Sequence, residues 1–267
     1  MGKQILDDEL WSLIEPLLPP PKPRRFRYPG RKSISDRAAL TGILFVLQSG
    51  IRWNQLPQEM GCGSGISCWR RLRDWQEAGV WEQLHLLLLT KLRMTERLDF
   101  SRVIVDSVGA GQKPGPNPTD RARPGSKHHL ATDANGTPIA IILAGANRND
   151  VTQLLPLIDA IPRISGLRGR PLSKPKRVYA DRGYDHDKYR KLLHAAAIPT
   201  SIARRGKPHG SGLGKIRWVV ERTHAWMHGF RRLRVRFERR ADIHEAFLRL
   251  ACALICWRTL QRPAESF

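Results

Sequence analysis

The sequence is short of cysteine, of long apolar runs and of acid. Only four cysteines occur, Cys62, Cys68, Cys252 and Cys256. That excludes a disulfide-built scaffold. No secretory apolar segment follows Met1-Gly2-Lys3, so the chain is expected to be cytoplasmic with its thiols reduced. Cys252 and Cys256 stand four apart in an apolar helical pattern and read as small core residues rather than half of a zinc site. The longest apolar runs, Leu86 to Leu89 and Ile139 to Ala144, fall far short of the ~20 residues a membrane-spanning helix needs. Acids number 24 against 46 Lys and Arg, a net charge of +22. A surplus of that size opposes compaction and favours a polyanionic partner, with nucleic acid first because phosphates reward Lys and Arg through counterion release. The apolar share, 41% of 267 residues, is enough for a real core and argues against wholesale disorder.

What is present divides into two textures. Residues 1–95 read as a small all-α domain. A first helix over 7–18 opens on Asp7, Asp8 and Glu9 and is stopped by Pro19-Pro20-Pro21. A basic arm with interleaved aromatics follows, Arg24 to Lys32, either a phosphate contact or a solvated loop. A second helix runs from Ser35 or Asp36 to Gln48 and stops at Gly50. A third spans Ser64 to Ala78, and a fourth Trp81 to Arg93. In the third, Arg70, Arg71 and Arg73 lie off the apolar stripe. They suit the recognition helix of a helix-turn-helix, or the wet face of a plain bundle.

From residue 96 to 267 the pattern is α/β. Phe100 to Val108 is a strand, and a Pro/Gly-rich loop, Gln112 to Asp120, follows with basic Arg121 and Arg123. Two strands, Lys127–Thr132 and Thr137–Leu143, flank Asn135-Gly136, a hairpin signal because both residues tolerate positive φ. A helix from Asn149 or Asp150 to Ile161 comes next. Then come a strand at Arg177–Asp181, a helix from Asp185, which reads as its cap, to Ala197, and a short strand at Pro199–Ala203. A Gly-rich basic loop, Arg204 to Gly214, leads into a helix carrying Ile216, Val219, Val220 and Trp226. After the densest basic run, Arg231 to Arg240, a last helix spans Ala241–Leu260. A hairpin is antiparallel and the later crossovers suit parallel pairing, so the sheet should be mixed, with helices on its faces.

Three acids stand out. Asp106 ends the run Arg102-Val103-Ile104-Val105, Asp181 ends Arg177-Val178-Tyr179-Ala180, and Glu221 lies in the helix after the Gly-rich loop. If the first and fourth strands are neighbours, both aspartates reach one edge and a crossing helix can add the glutamate. Three acids this close would raise one another's pKa unless a divalent cation joins them. Oxygen ligands without a His/Cys set select Mg2+ or Mn2+. Two such ions about 4 Å apart can activate a nucleophile and stabilise a leaving oxygen at a phosphodiester. Each acid also has a plain reading: Asp106 as a loop cap, Asp181 as a turn former, Glu221 as the i+4 partner of Arg217.

These stretches resemble the DDE transposases of bacterial insertion sequences, in the insertion-sequence-five group of the wider insertion-sequence-four type. Val103-Ile104-Val105-Asp106-Ser107 is similar to the first-aspartate box, and Tyr179-Ala180-Asp181-Arg182-Gly183-Tyr184-Asp185 to the second. Arg217-Trp218-Val219-Val220-Glu221-Arg222-Thr223 is similar to the glutamate box. Leu10-Trp11, Trp53-Asn54-Gln55-Leu56-Pro57 and Trp81-Glu82 resemble the helical domain preceding the catalytic one. The resemblance implies an RNase-H-like catalytic domain and two magnesium ions, replaceable by manganese, on Asp106, Asp181 and Glu221. It also implies DNA with terminal inverted repeats, and a homo-oligomer on that DNA. The activity implied is nicking followed by strand transfer.

DNA contacts are expected from Arg70, Arg71, Arg73, Lys127, His129, Arg182, Arg217, His228, Arg231, Arg232 and Arg234. The family pattern has a tyrosine where Gly214 stands and a lysine where His228 stands, so Arg231, Arg232 or Arg234 are candidates for gripping the DNA end. His224 and His228 are i, i+4 on a helix but lack a zincin glutamate between them; packing or phosphate contact is preferred to zinc. Trp218 and Trp226 read as core, with stacking on a displaced base as the other reading. The competing function is a catalytically degenerate, transposase-derived DNA-binding protein.

Overall fold

A computed structural model describes residues 4–21, 23, 26–27, 32–112, 119–120, 123–206 and 212–263. Most of the basic arm at 24–32, the Pro/Gly loop at 113–118, Arg121, and 207–211 of the Gly-rich loop lie outside the described residues.

The chain begins with α1 (Asp8–Ile14), capped by Asp7, whose carboxylate accepts from the Leu10 amide at 2.6 Å. The helix gives way to a 3-10 turn at Glu15–Leu17, because Pro16 supplies no amide for a continuing ladder. Ser35 caps α2 (Asp36–Ser49), and Gly50, at φ 74°, ends it in the left-handed conformation open to glycine. Ser64 caps α3 (Gly65–Glu77), and α4 (Val80–Met94) follows after Ala78-Gly79. The arginine-rich α3 is therefore reached through the whole stretch Gly50–Ser64, which contains two 3-10 turns. This connection is longer than the turn of roughly 3–4 residues in a compact helix-turn-helix.

The sheet comprises β1 (Val103–Gln112), β2 (Thr119–Asp120), β3 (Arg123–Thr132), β4 (Pro138–Gly145), β5 (Val178–Ala180), β6 (Thr200–Ile202) and β7 (Val235–Arg236). β4, β3 and β1 pair antiparallel in turn; β5 then joins β1 in parallel and β6 joins β5 in parallel. This is the mixed, RNase-H-like arrangement the resemblance implies. The helices around it are α5 (Leu154–Asp159), α6 (Asp187–Ala195), α7 (Gly214–Gly229) and α8 (Ala241–Gln261). β1 continues to Gln112, so Asp106 lies inside a strand rather than at its end. The short β7, pairing with the far end of β1, had no alternating apolar pattern to announce it.

The β3–β4 turn differs from the two-residue Asn-Gly hairpin. The Gly136 amide donates to the Asp133 carbonyl at 3.2 Å, and only Gly136, at φ 86°, has positive φ in this turn. Asp133 organises it: its buried carboxylate accepts from the amides of Asp99, Asn135 and Thr137. A side chain that satisfies three amides can outbid the two-residue turn.

The helix α8 is apolar nearly all round and packs against α4, α3 and β4. Such a helix has no wet face and acts as a central pillar. Through it residues 1–95 and 96–267 share one continuous core, which includes Leu44, Trp75, Trp81, Val105, Phe247 and Leu250. All four cysteines are free and buried in it. Asp7 ties the two ends of the chain by accepting from Trp257 Nε1 at 3.1 Å.

Candidate active site

β1 and β5 run parallel with Ile104 opposite Tyr179. Two residues beyond this pair stand Asp106, inside β1, and Asp181, just past the end of β5, near enough for the one carboxylate to repel the other. β5 ends at Ala180, and Asp181 caps the 3-10 turn Arg182–Tyr184, its Oδ1 accepting from the Gly183 amide at 2.8 Å. A Cβ at Gly183 would stand 2.9 Å from that oxygen and push the Asp181 carboxylate aside. Tyr184 is buried beneath, beside Ser107 and the two aspartates.

Along α7, Arg217, Glu221, His224 and His228 share one side at i, i+4, i+7, i+11 spacing, the side turned to β1. His224 lies against the Asp106 main chain. Arg217 Nη2 is 3.6 Å from Asp106 Oδ1 and 4.0 Å from Glu221 Oε1. Asp106 is the perturbed acid: burial pushes its pKa up to about 6, the Ser107 amide and Arg217 pull it down, and Asp181 and Glu221 add repulsion. It is therefore ionised at neutral pH, at a cost that a cation would relieve.

All three acids offer hard oxygen donors, which fit a divalent ion such as Mg2+ or Mn2+. Asp106 and Asp181 lie near each other. Glu221 is not yet with them: its side chain is 62% exposed. No three His, Cys, Asp or Glu among the described residues are grouped to hold a metal. Arg217 supplies the nearby positive charge.

The expected DNA contacts separate by burial. Arg70, Arg231 and Arg234 are exposed, and Arg182 is half-buried beside Asp181. Arg71 pairs with Asp36, Arg73 with Asp74, and Lys127 with Asp150. His228 is half-buried, and Arg217 is turned to the carboxylates. Two expectations are corrected. His129 is fully buried, because its β3 side chain faces the packed side of the sheet. Arg232 is buried against Glu238 and the Ile51 carbonyl. Asp185 is corrected too: His186 caps α6, while Asp185 is an ion-pair hub for Arg190 and Arg204.

The zinc reading of His224 and His228 gains nothing. They join His128, His129 and His244 in a buried group whose pKa values burial holds below the usual range. Trp218 is half exposed rather than core. On the flank of α7 away from Asp106, the Arg222 guanidinium lies over Trp218 at 4.5 Å and Trp226 at 4.7 Å, and Arg262 covers Trp226 at 5.3 Å. These residues and Asn135 line a cavity of about 270 Å³. The i, i+4, i+8 spacing of Trp218, Arg222 and Trp226 was the available signal for this stack.

Residues 97–256 match the family profile "Transposase DDE domain", which covers more than half of the chain. The chain belongs to the DDE transposase family. Residues 6–85 match a second profile, "Putative transposase of IS4/5 family". A relative from Burkholderia cepacia, "Putative transposase for insertion sequence element IS402", is 69% identical over 166 residues, 62% of this transposase and 79% of the relative. A second from the same organism, "Insertion element IS402 uncharacterized 16.2 kDa protein", is 68% identical over 44% of this chain and 84% of its own. Among solved structures, a pre-cleavage Mos1 transpososome matches over 88% of this chain and 82% of that one. Its identity is 11% and its TM-score 0.28, too low to bear on the argument.

Proposed function

We propose that this transposase binds the terminal inverted repeats of an insertion sequence, cuts DNA there with Mg2+, and joins the freed 3′ ends to target DNA. The observation that carries the reading is that Asp106, on β1, and Asp181, just past the end of the parallel neighbour β5, are close enough to interact, with Glu221 on the helix packed against β1. Asp106, Asp181 and Glu221 would hold two divalent ions, which supply Lewis-acid polarisation of the phosphate and a more acidic nucleophile. The chain's own residues do the rest. Asp106 is ionised at neutral pH and ready to ligate. Arg217, released from the acids, is positioned to take a DNA phosphate as a two-point fork. Arg70, Arg182, Arg231 and Arg234 hold the backbone, in keeping with the net charge of +22. Water and a 3′-hydroxyl are equivalent nucleophiles for in-line displacement, so one site serves both cutting and joining. Pairing two DNA ends calls for more than one copy of the chain.

The test compares native protein and Asp181→Ala on DNA carrying the element's ends. Metal-dependent nicking and joining by the native protein alone is expected. Absence of cleavage with both Mg2+ and Mn2+, alongside tight salt-sensitive binding, would favour a degenerate DNA-binding copy instead.

A further inference from the structure

The turn after β5 and the loop after β6 lie side by side, because Ala180 pairs with Ile202 at the ends of two parallel strands. Three arginines and one aspartate fasten them together. Asp185, with a side chain only 9% exposed, accepts from Arg190 Nε and Nη2 on Oδ1, at 3.1 and 2.6 Å. Its Oδ2 accepts from the Arg205 amide at 2.6 Å. Arg190 also donates to the Ile202 carbonyl at 2.9 Å. Arg204 reaches the same aspartate at 3.7 Å and pairs with Asp187. With its main chain fixed in this way, Arg205 turns its guanidinium back on the Asp181 turn. Nε donates to the Arg182 carbonyl at 2.9 Å and Nη2 to the Gly183 carbonyl at 3.2 Å.

The Arg182 carbonyl and the Gly183 amide are two ends of one peptide unit, which is planar. One end accepts from Arg205 and the other donates to Asp181 Oδ1. Fixing the carbonyl fixes the direction of the N–H, and so the rotation of the Asp181 carboxylate. A charged donor on the carbonyl also polarises the amide and strengthens its bond to Asp181. The 3-10 turn holds the Arg182 carbonyl through the Asp185 amide at 3.2 Å, and Arg205 adds a second, charged donor there and another on the Gly183 carbonyl. We infer that Arg205, anchored by Asp185, is a positioning residue that aims Asp181 through the Arg182–Gly183 peptide. The inference rests on the reading of Asp181 as a metal ligand. Nothing in the glutamate or aspartate spacing marks Arg205, which lies in a loop of basic residues.

The experiment measures Mn2+ binding to the DNA-free protein by electron paramagnetic resonance, for native protein, Asp181→Ala, Arg205→Ala, Arg205→Lys and Asp185→Asn. Partners that orient a metal ligand typically contribute 10–100-fold in affinity. Arg205→Ala and Asp185→Asn should each weaken Mn2+ about tenfold, and for Arg205→Ala thermal unfolding and the salt slope of duplex binding should be unchanged. Arg205→Lys keeps the charge but replaces the planar two-point fork by a single flexible ammonium, so it should follow Arg205→Ala. If Arg205→Lys and Arg205→Ala both bind Mn2+ within twofold of native, the inference is overturned. A salt slope reduced by about one with unaltered Mn2+ binding would overturn it as well, making Arg205 a phosphate contact. Native protein binding Mn2+ no better than Asp181→Ala would instead remove the metal-site reading itself.

Discussion

Arg217 stands between two carboxylates, 3.6 Å from Asp106 and 4.0 Å from Glu221. Among the described residues its buried Nε has no partner, so the side chain is not fully satisfied there. It neutralises the acids and, by the same token, competes with any cation for them. Replacing it with methionine, similar in length but uncharged, should tighten Mn2+ binding to the DNA-free protein by about threefold to fivefold. That corresponds to roughly 1 kcal/mol, the upper end for a partly exposed ion pair. The same variant should cut DNA more slowly, because a phosphate loses its fork. Weaker Mn2+ binding in Arg217→Met would show that the arginine builds the site rather than occupying it.

Asp106 gives the metal-free protein a pH signature. Its folded pKa, about 6, is raised from 3.8 chiefly by burial. A raised folded pKa means the protonated form is the one the fold favours. The stabilisation is complete below about pH 3.8 and is lost as pH rises through 6. Two units correspond to roughly 2–3 kcal/mol at most. Between pH 5 and 7.5 the native protein should therefore lose stability relative to Asp106→Asn, in chemical denaturation with chelator present. Taking the difference between the two proteins removes the contribution of the buried histidines, whose depressed pKa values act in the opposite direction. Equal pH dependence in both would contradict a strained Asp106. Saturating Mn2+ should abolish the difference.

Legibility followed the kind of signal. Asp106 and Asp181 could be read because an apolar run that stops at an acid is local, and parallel pairing then brings the two near each other. The helix over Glu221 was equally plain from Ile216, Val219 and Val220. The extent of β1 was not, since Gly109 and Gly111 interrupt the apolar pattern while β3 keeps pairing with them. Burial of His129 and Arg232 depends on partners far away in sequence, and charge alone misplaced both. Asp185 looked like a helix cap because Asp often is one; His186 took that place, and the carboxylate went to Arg190, on the helix that follows, and to Arg204, which the β5–β6 pairing brings near.

The stack on α7 predicts a contact with an unpaired base. Trp218 is half exposed, and Arg222, lying over both it and Trp226, has a buried Nε without a partner. Stacking one base on an aromatic ring contributes roughly 1–3 kcal/mol and does not depend strongly on sequence. Trp218→Ala should weaken binding to single-stranded oligonucleotides by about tenfold while leaving blunt duplex affinity within twofold. Titration followed by 2-aminopurine fluorescence separates the two. An equal loss on both substrates would place Trp218 on the duplex backbone instead.

The basic run Arg231–Arg240 divides into two kinds of arginine, and substitutions should tell them apart. Arg232 is buried, donates to Glu238 through Nε at 3.1 Å and to the Ile51 carbonyl through Nη1 at 2.7 Å, and lies over Phe237. Arg232→Ala would leave Glu238 charged and unpaired inside the protein, a loss of about 3–5 kcal/mol. Removing both partners should recover part of that, because no lone charge remains. Arg231 and Arg234 are exposed. Each to Ala should change stability by no more than about 1 kcal/mol, yet lower the slope of log affinity against log salt by about one, as for a lost phosphate contact. Denaturant unfolding and salt-titrated DNA binding on the same three variants give the answer. If Arg232→Ala unfolds like the native protein but loses salt slope, the arginine faces DNA and its burial against Glu238 does not describe the working state.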